Sequence, residues 1–183
     1  MLLTPRLGLR RWEPRDSAPF AALNADPEVM RHFPAPLDSG QSDALIERFE
    51  RAWNADGVSF AVAERRSDGA FLGMVGLNRL RLPEIGPPPD CALEVGWRLA
   101  RAHWGQGYAT EAARAWIEHG FRTFDDAEIV AIVVPENRAS RAVMHRLGMR
   151  PDPGRSFEHP SLPEGHRLRS HLLYAIARHS DEA

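Results

Sequence analysis

The sequence predicts an α/β or α+β fold in which strands and helices share one sheet. Three observations carry that prediction. Short apolar runs with strand alternation or β-branched character recur along the chain, amphipathic stripes at helical period lie between them, and no internal repeat, low-complexity tract or linker divides it. At 183 residues with 43% hydrophobic content, the chain can bury one substantial core and is too short for two, so residues 1–183 are expected to form a single domain.

The elements follow in order. Leu7, Leu9 and the run Arg10-Arg11-Trp12 alternate as a first strand, after which Asp16 stands at a helix N-cap position ahead of Phe20 and Leu23. Asp26-Pro27-Glu28 repeats the signal with a cap, a proline at the first helical position and an acid in the first turn. Leu45, Phe49, Ala52 and Trp53 predict a third helix, closed by Gly57. Residues 58–62 and 71–77 form the arms of a hairpin around Ser67-Asp68-Gly69. A proline-rich loop at 82–90 leads to a strand at 92–99, with Leu93, Val95, Trp97 and Leu99 on one side and Glu94, Gly96 and Arg98 on the other. Ala109, Ala112, Ala113, Trp116, Gly120, Phe121 and Phe124 then mark the clearest helix, with Arg114, Glu118 and Arg122 on its outer face. Residues 129–134 are a wholly apolar strand, as expected where both faces are covered. Asn137 caps a helix packed through Ala139, Ala142, Val143 and Leu147 and ended by Gly148. Residues 150–170, crowded with Pro, Gly, His and Arg, are expected to be a loop of about twenty residues, before a closing strand at 171–178.

Composition excludes several classes. Lys+Arg 23 against Asp+Glu 25 leaves a net charge of -2, which provides no general attraction to nucleic acid or anionic membrane. Cys91 is the one cysteine, so an internal disulfide and a four-thiolate metal site are both ruled out, in keeping with a reducing cytoplasm. The start Met1-Leu2-Leu3-Thr4-Pro5-Arg6 lacks an apolar run of signal-peptide length, and no stretch approaches the roughly 18 apolar residues of a membrane span. No two of the eight histidines sit at i, i+4 helical spacing beside an acid, so no metal is expected.

The chemistry concentrates in one turn. A strand ending at Leu99, glycines at 105 and 107 and a helix starting near Ala109 describe a loop whose backbone N–H groups converge on phosphate oxygens, favoured by the helix dipole. A Rossmann dinucleotide fold needs a third glycine where Thr110 stands and should open the chain; Glu136 is the feature that keeps it open. A P-loop needs Gly-Lys-Ser/Thr, which is absent. A tight turn with no ligand is the plain structural alternative.

Five segments, in matching order and spacing, decide between these. They are Thr4-Pro5-Arg6-Leu7 with Leu9-Arg10, Asp26-Pro27-Glu28-Val29-Met30, Glu94-Val95-Gly96-Trp97 with Trp104-Gly105-Gln106-Gly107-Tyr108-Ala109-Thr110-Glu111-Ala112, Asn137 with Ser140, and Arg146-Leu147-Gly148-Met149. Through them the chain resembles the GNAT superfamily, in the branch of the RimJ/RimL-type ribosomal-protein N-terminal acetyltransferases. The resemblance implies a mixed, mostly antiparallel sheet of about seven strands with helices on both faces, split near its middle to admit acetyl-CoA. It implies that Gln106 to Thr110 wrap the coenzyme's pyrophosphate, with Trp104, Gly105, Tyr108 and Ala109 in the same turn, Trp97 and Leu99 on the preceding strand, and Asn137 on pantetheine. Trp104 stands where the wider superfamily has Gln or Arg, as is usual in this branch. Arg101 and His103 flank the turn.

Acyl transfer to an amine asks for a neutral nitrogen, a polarised thioester carbonyl and a proton for the thiolate. Glu94 is the expected base, since a carboxylate in an apolar strand either reaches a polar cleft or is costly to bury. Its alternative is a surface glutamate. Ser140 matches the serine expected to protonate the thiolate, or else it helps cap its helix. The long segment around Phe157 to Arg169 is expected over the acceptor site, where His159, Glu164 or His166 would be alternative bases. The expected reaction is transfer of an acetyl or short acyl group from acyl-CoA to a primary amine, on a peptide N-terminus or a small molecule, by a cytoplasmic protein that is a homodimer if it follows the family's habit. A non-catalytic acyl-CoA sensor of the same fold, and a nicotinamide enzyme using the glycine turn, are the competing readings. The acceptor side is expected to be built by loops near Leu37, at 83–90 and at 150–170.

Overall fold

The computed structural model describes residues 1–80 and 92–178. The proline-rich loop, its share of the acceptor side and Cys91 lie outside the described residues. Eight strands form one sheet: β1 (Leu2–Leu3), β2 (Leu7–Arg10), β3 (Phe60–Arg65), β4 (Phe71–Leu80), β5 (Ala92–Leu99), β6 (Glu128–Val133), β7 (Arg150–Glu158) and β8 (Ser170–Ala177). Their order is β1-β2-β3-β4-β5-β6-β8-β7, and every neighbouring pair is antiparallel except β5 and β6. The mixed, mostly antiparallel sheet is as expected, with one strand more than the estimate of about seven.

Helices α1 (Ser17–Ala25), α2 (Pro27–Met30), α3 (Ser39–Asp56), α4 (Tyr108–Thr123) and α5 (Arg138–Arg146) cover both faces. Strand alternation divides the core between them. Val62 and Met74 pack with Trp12, Phe20 and Phe49 under α1 and α3, while Ala61, Ala63 and Val75 on the same strands pack toward Ala112, Ala113 and Trp116 of α4. Trp53 and Trp116 meet with ring centroids 5.8 Å apart, as packing rather than as a platform for bases.

Helix boundaries follow local chemistry. Asp26 accepts from Glu28 N at 2.8 Å and Gly57 takes the left-handed conformation that ends α3, both as expected. Asp38 and Gln41 add a reciprocal capping box at the start of α3 that the sequence reading had not used.

Three expectations need correction. Asp16 makes no side-chain cap on α1. Its carboxylate, 1% exposed, receives two bonds from the Arg10 guanidinium at 2.7 and 2.8 Å and one from Glu13 N at 2.8 Å. Residues 150–170 are not one loop, because residues 150–158 pair antiparallel with β8 and only 159–169 connect them. Pro151, Pro153 and Gly154 hid this strand by breaking its alternation, and the sheet tolerates them because β7 is an edge strand whose register shifts between Asp152 and Phe157. The chain also pairs earlier than expected, since Leu2–Leu3 forms β1.

Breaking the buried Asp16–Arg10 pair leaves the mostly buried guanidinium with Glu64 at 2.7 Å, the Arg11 carbonyl at 3.1 Å and a distant Glu13 at 3.8 Å. Asp16→Ala is therefore expected to lower unfolding free energy by about 3 kcal/mol in urea melts, whereas Asp43→Ala on the exposed face of α3 should change it little.

Candidate active site

The site begins where the sheet stops pairing. Strands β5 and β6 run parallel, but only Leu93 with Ile129 and Glu94 with Val130 are in register. Beyond them the strands part, so Gly96 to Leu99 and Ala131 to Val134 are not bonded to each other. A cavity of about 620 Å³ occupies the opening on the Glu94 side, and a second of about 550 Å³ runs from it to the glycine turn. His32, Phe33, Trp97, Arg98, Asn137 and Ser140 line both, so the two cavities meet at the start of α5.

The turn has the expected form. Gly105 and Gly107 sit at φ +72 and +80, conformations that L side chains rarely adopt, and Gly107 is the N-cap of α4. The first N–H groups of α4 have no intrahelical acceptor and face the same opening that favours an anion. Gly105, Gly107, Tyr108, Ala109 and Thr110 line the second cavity, with Trp97, Leu99 and Trp104 beside them. Trp104 Nε1 donates to Leu99 O at 2.7 Å, so its indole braces the strand end. Gln106 is exposed and turned away, its side chain donating to Ala102 O at 3.0 Å, which leaves it a backbone role at most. Arg31 and Arg146 bring positive charge to this cavity, and Glu28 is the carboxylate among its described lining residues; His103 also lines it, but burial holds its imidazole below the ordinary histidine pKa. Arg101 does not line it.

A clasp not foreseen from sequence secures the turn. Glu111 on α4 accepts from Thr4 Oγ1 at 2.6 Å, Arg6 N at 2.9 Å and Arg6 Nε at 2.6 Å, while Arg6 Nη1 donates to Gln106 O at 2.9 Å. Burial opposes the charge on Glu111, but the bonds from Thr4 and Arg6 outweigh it and hold the carboxyl below its usual range. The Thr4-Pro5-Arg6 segment thus anchors the glycine turn from more than a hundred residues away in sequence.

In the first cavity, Glu94 keeps part of its surface toward the opening, yet the packed surroundings desolvate its carboxylate and push its pKa up to about 7. That is the range a base needs at neutral pH. Ser140 is half-buried, and its N–H is taken by Asn137 Oδ1 at 3.1 Å, so the capping role and a position in the cleft coexist. Asn137 keeps its amide NH₂ as a donor. From the connection 159–169, His159, Ser161, Leu162 and Leu168 line the cavity, and Arg167 ties it across to Arg31 O at 3.0 Å. Glu164 and His166 are not among the lining residues. His171 on β8 is, and burial holds its imidazole below the ordinary histidine pKa. His32, Arg98 and His171 are site residues that sequence reading missed. No group of three or more candidate metal ligands occurs among the described residues.

Two cavities that meet inside a parted sheet suit an enzyme that brings a phosphate-bearing donor together with a second substrate, and the fold is that of an acetyltransferase. An acetyltransferase (GNAT) domain model matches residues 6–150, and the chain belongs to the GNAT acetyltransferase family, whose members transfer an acyl group from acetyl-CoA to an amine. Among curated relatives, Bacillus subtilis YkkB is 36% identical over 149 residues, covering 81% of this chain and 84% of that protein. The B. subtilis N-acetyltransferase YnaD is 27% identical over 175 residues, or 96% and 95% of the two chains. Among solved structures, an Agrobacterium tumefaciens acetyltransferase superposes with a TM-score of 0.75 at 28% identity, covering 97% and 94%. The ribosomal L7/L12 acetyltransferase RimL, solved with coenzyme A, shares the fold at a TM-score of 0.76 and 15% identity, covering 96% of each chain. Among the described residues no helix is long and apolar enough to cross a membrane.

The sign of the Glu94 effect is testable through stability. Its pKa is raised in the folded state from an ordinary 4.5 to about 7, so its contribution is fully present below pH 4.5 and is lost as pH rises through 7. Glu94→Gln has no such dependence. Its stability relative to wild type should therefore rise by about 3 kcal/mol between pH 4.5 and 8 in urea melts; a flat difference would mean the carboxylate is not desolvated.

Proposed function

We propose that Glu94 and Ser140 are the base and the acid of direct acetyl transfer from acetyl-CoA to a primary amine in a ternary complex. The meeting of the two cavities at Asn137 and Ser140, with Glu94 in one and the glycine turn in the other, is the observation that carries this reading. Bound acetyl-CoA supplies an acetyl group activated as a thioester. The turn from Gly105 to Thr110 fits its pyrophosphate because positive-φ glycines and free helix N–H groups leave room and donors for phosphate oxygens. Asn137 positions the pantetheine arm from the α5 cap.

Glu94 takes a proton from the incoming ammonium, directly or through a water, which restores the nitrogen lone pair. Once that proton has passed from Glu94 to solvent, the amine nitrogen bonds the acyl carbon as the carbon–sulfur bond breaks, and the nitrogen's second proton goes to the freed carboxylate. Ser140 Oγ–H supplies a proton to the departing thiolate and is reprotonated through water by the proton that Glu94 has just taken. Unpaired N–H groups of β5, where β6 has parted, are the donors toward the developing oxyanion. An open cleft with Glu94 inside it argues against a sensor that binds acyl-CoA without turnover.

Acetyl-CoA and CoA at about 100 times their Kd should raise Tm by roughly 5–10 °C, and NAD and ATP should not. Gly107→Glu, which forces a side chain into the left-handed cap of the turn, should abolish the rise. In transfer assays the wild-type rate should fall as pH drops below about 7, and Glu94→Gln should lower kcat about 100-fold or more and remove that fall. A wild-type protein whose Tm ignores both thioester and free CoA would sink this assignment. The sequence contains no lysine, so acetylation of the protein itself is confined to its N-terminal amine and is easily separated by mass.

A further inference from the structure

Arg98 is a charged residue of the cleft to which acetyl transfer assigns no task. It shares the face of β5 that carries Gly96 and Glu94, four residues and roughly 13 Å along the strand from the carboxylate, and it lines both cavities. Its side chain is held from two directions. Asn24 Oδ1 accepts from Nη1 at 2.6 Å, and the guanidinium carbon lies 4.1 Å from the Phe33 ring centroid. Asn24 is fixed in turn, fully buried, donating to Ser42 Oγ at 3.1 Å while Ser42 donates to Asp38 O at 2.8 Å.

What the guanidinium lacks is a counter-charge. Its Nε is buried without a partner, and among the described residues no carboxylate pairs with it. Burial and the nearby Arg48 lower its pKa to about 10, which still leaves it cationic at neutral pH. A purely structural arginine would be paired, because a buried cation without an anion is costly to keep. Among the described lining residues of the 620 Å³ cavity, Glu94 is the only carboxylate, against the guanidinium groups of Arg48 and Arg98, while burial holds the imidazoles of His32 and His171 below the ordinary histidine pKa and favours their neutral forms. A cleft of that composition accepts an amine at Glu94 and sets Arg48 and Arg98 against a second ammonium.

We propose that Arg98 is an oxyanion subsite for the acceptor, so that the amine acetylated here carries a carboxylate or phosphate group that pairs with Arg98 while its nitrogen lies at Glu94. This rests on the acetyl-transfer reading and narrows its substrate class to small anionic amines. Because both contacts stand on one face of one strand, their span is fixed and spacer length is selected.

The test uses matched amines in the presence of saturating CoA. Amino acids from glycine through β-alanine to longer homologues are titrated calorimetrically against their amides, and phosphoethanolamine against ethanolamine; the same pairs are then assayed with acetyl-CoA. Anionic members should bind and react at least about tenfold better than their neutral partners, with the carboxylate and phosphate pairs showing which oxyanion is preferred. Arg98→Gln should bring each pair to parity with acetyl-CoA KM unchanged, and Arg98→Lys should retain part of the preference. A CoA-induced rise in Tm in both variants certifies their fold. Parity in wild type overturns the subsite, as does an Arg98→Gln effect that falls equally on both members or appears only in acetyl-CoA KM. Anion-selective binding with no acetyl transfer to any amine keeps the subsite and overturns the transfer assignment beneath it.

Discussion

The parting of β5 from β6 is the constraint on which the rest of this structure depends. Two parallel strands in the middle of a sheet ordinarily satisfy one another's backbone groups. Here they do so over two register pairs and then separate. The unpaired backbone beyond Glu94 is what lets a ligand lie inside the sheet rather than on it. The sheet holds together despite the opening because all eight residues of β5 pair with β4 and all six residues of β6 pair with β8.

A cleft made this way needs its ends fixed. At one end, Glu111 is bonded to Thr4 and Arg6, which ties the segment between β1 and β2 to the start of α4 and the glycine turn. At the other, Arg167 bridges to Arg31 and holds the 159–169 connection against the end of α2. Between them, the capped start of α5 presents Asn137 and Ser140 to both cavities. The glycine-turn cavity and the Glu94 cavity share His32, Phe33, Trp97, Arg98, Asn137 and Ser140, and Arg31, which lines the first of these, also accepts the bond from Arg167 that secures the wall of the other.

What could be read from sequence was what local chemistry writes. The glycines at 105 and 107, the Asn137 cap and the alternation of residues 92–99 each depend on neighbours within a turn or two, and each was found where expected. Glu94 was legible for a related reason: a lone acid in an apolar strand is conspicuous. The Glu111 clasp was not, because its partners lie about a hundred residues apart and nothing in either segment names the other. Arg98 looked like an ordinary outward residue of its strand until α1 brought Asn24 to it from 74 residues away. Strand β7 was concealed by prolines that only an edge position permits, and Asp16 was read as a cap because its partner Arg10 belongs to the preceding strand.

The central claim is that the parted strands are the place where acetyl-CoA is held and used. A crystal structure of the protein with CoA tests it most directly. The account predicts the pyrophosphate on the backbone of residues 105–110, the pantetheine arm between β5 and β6 with Asn137 beside it, and the sulfur within reach of Ser140 on the cavity that contains Glu94. Coenzyme bound elsewhere, or β5 and β6 closed upon each other with the glycine turn empty, would contradict it.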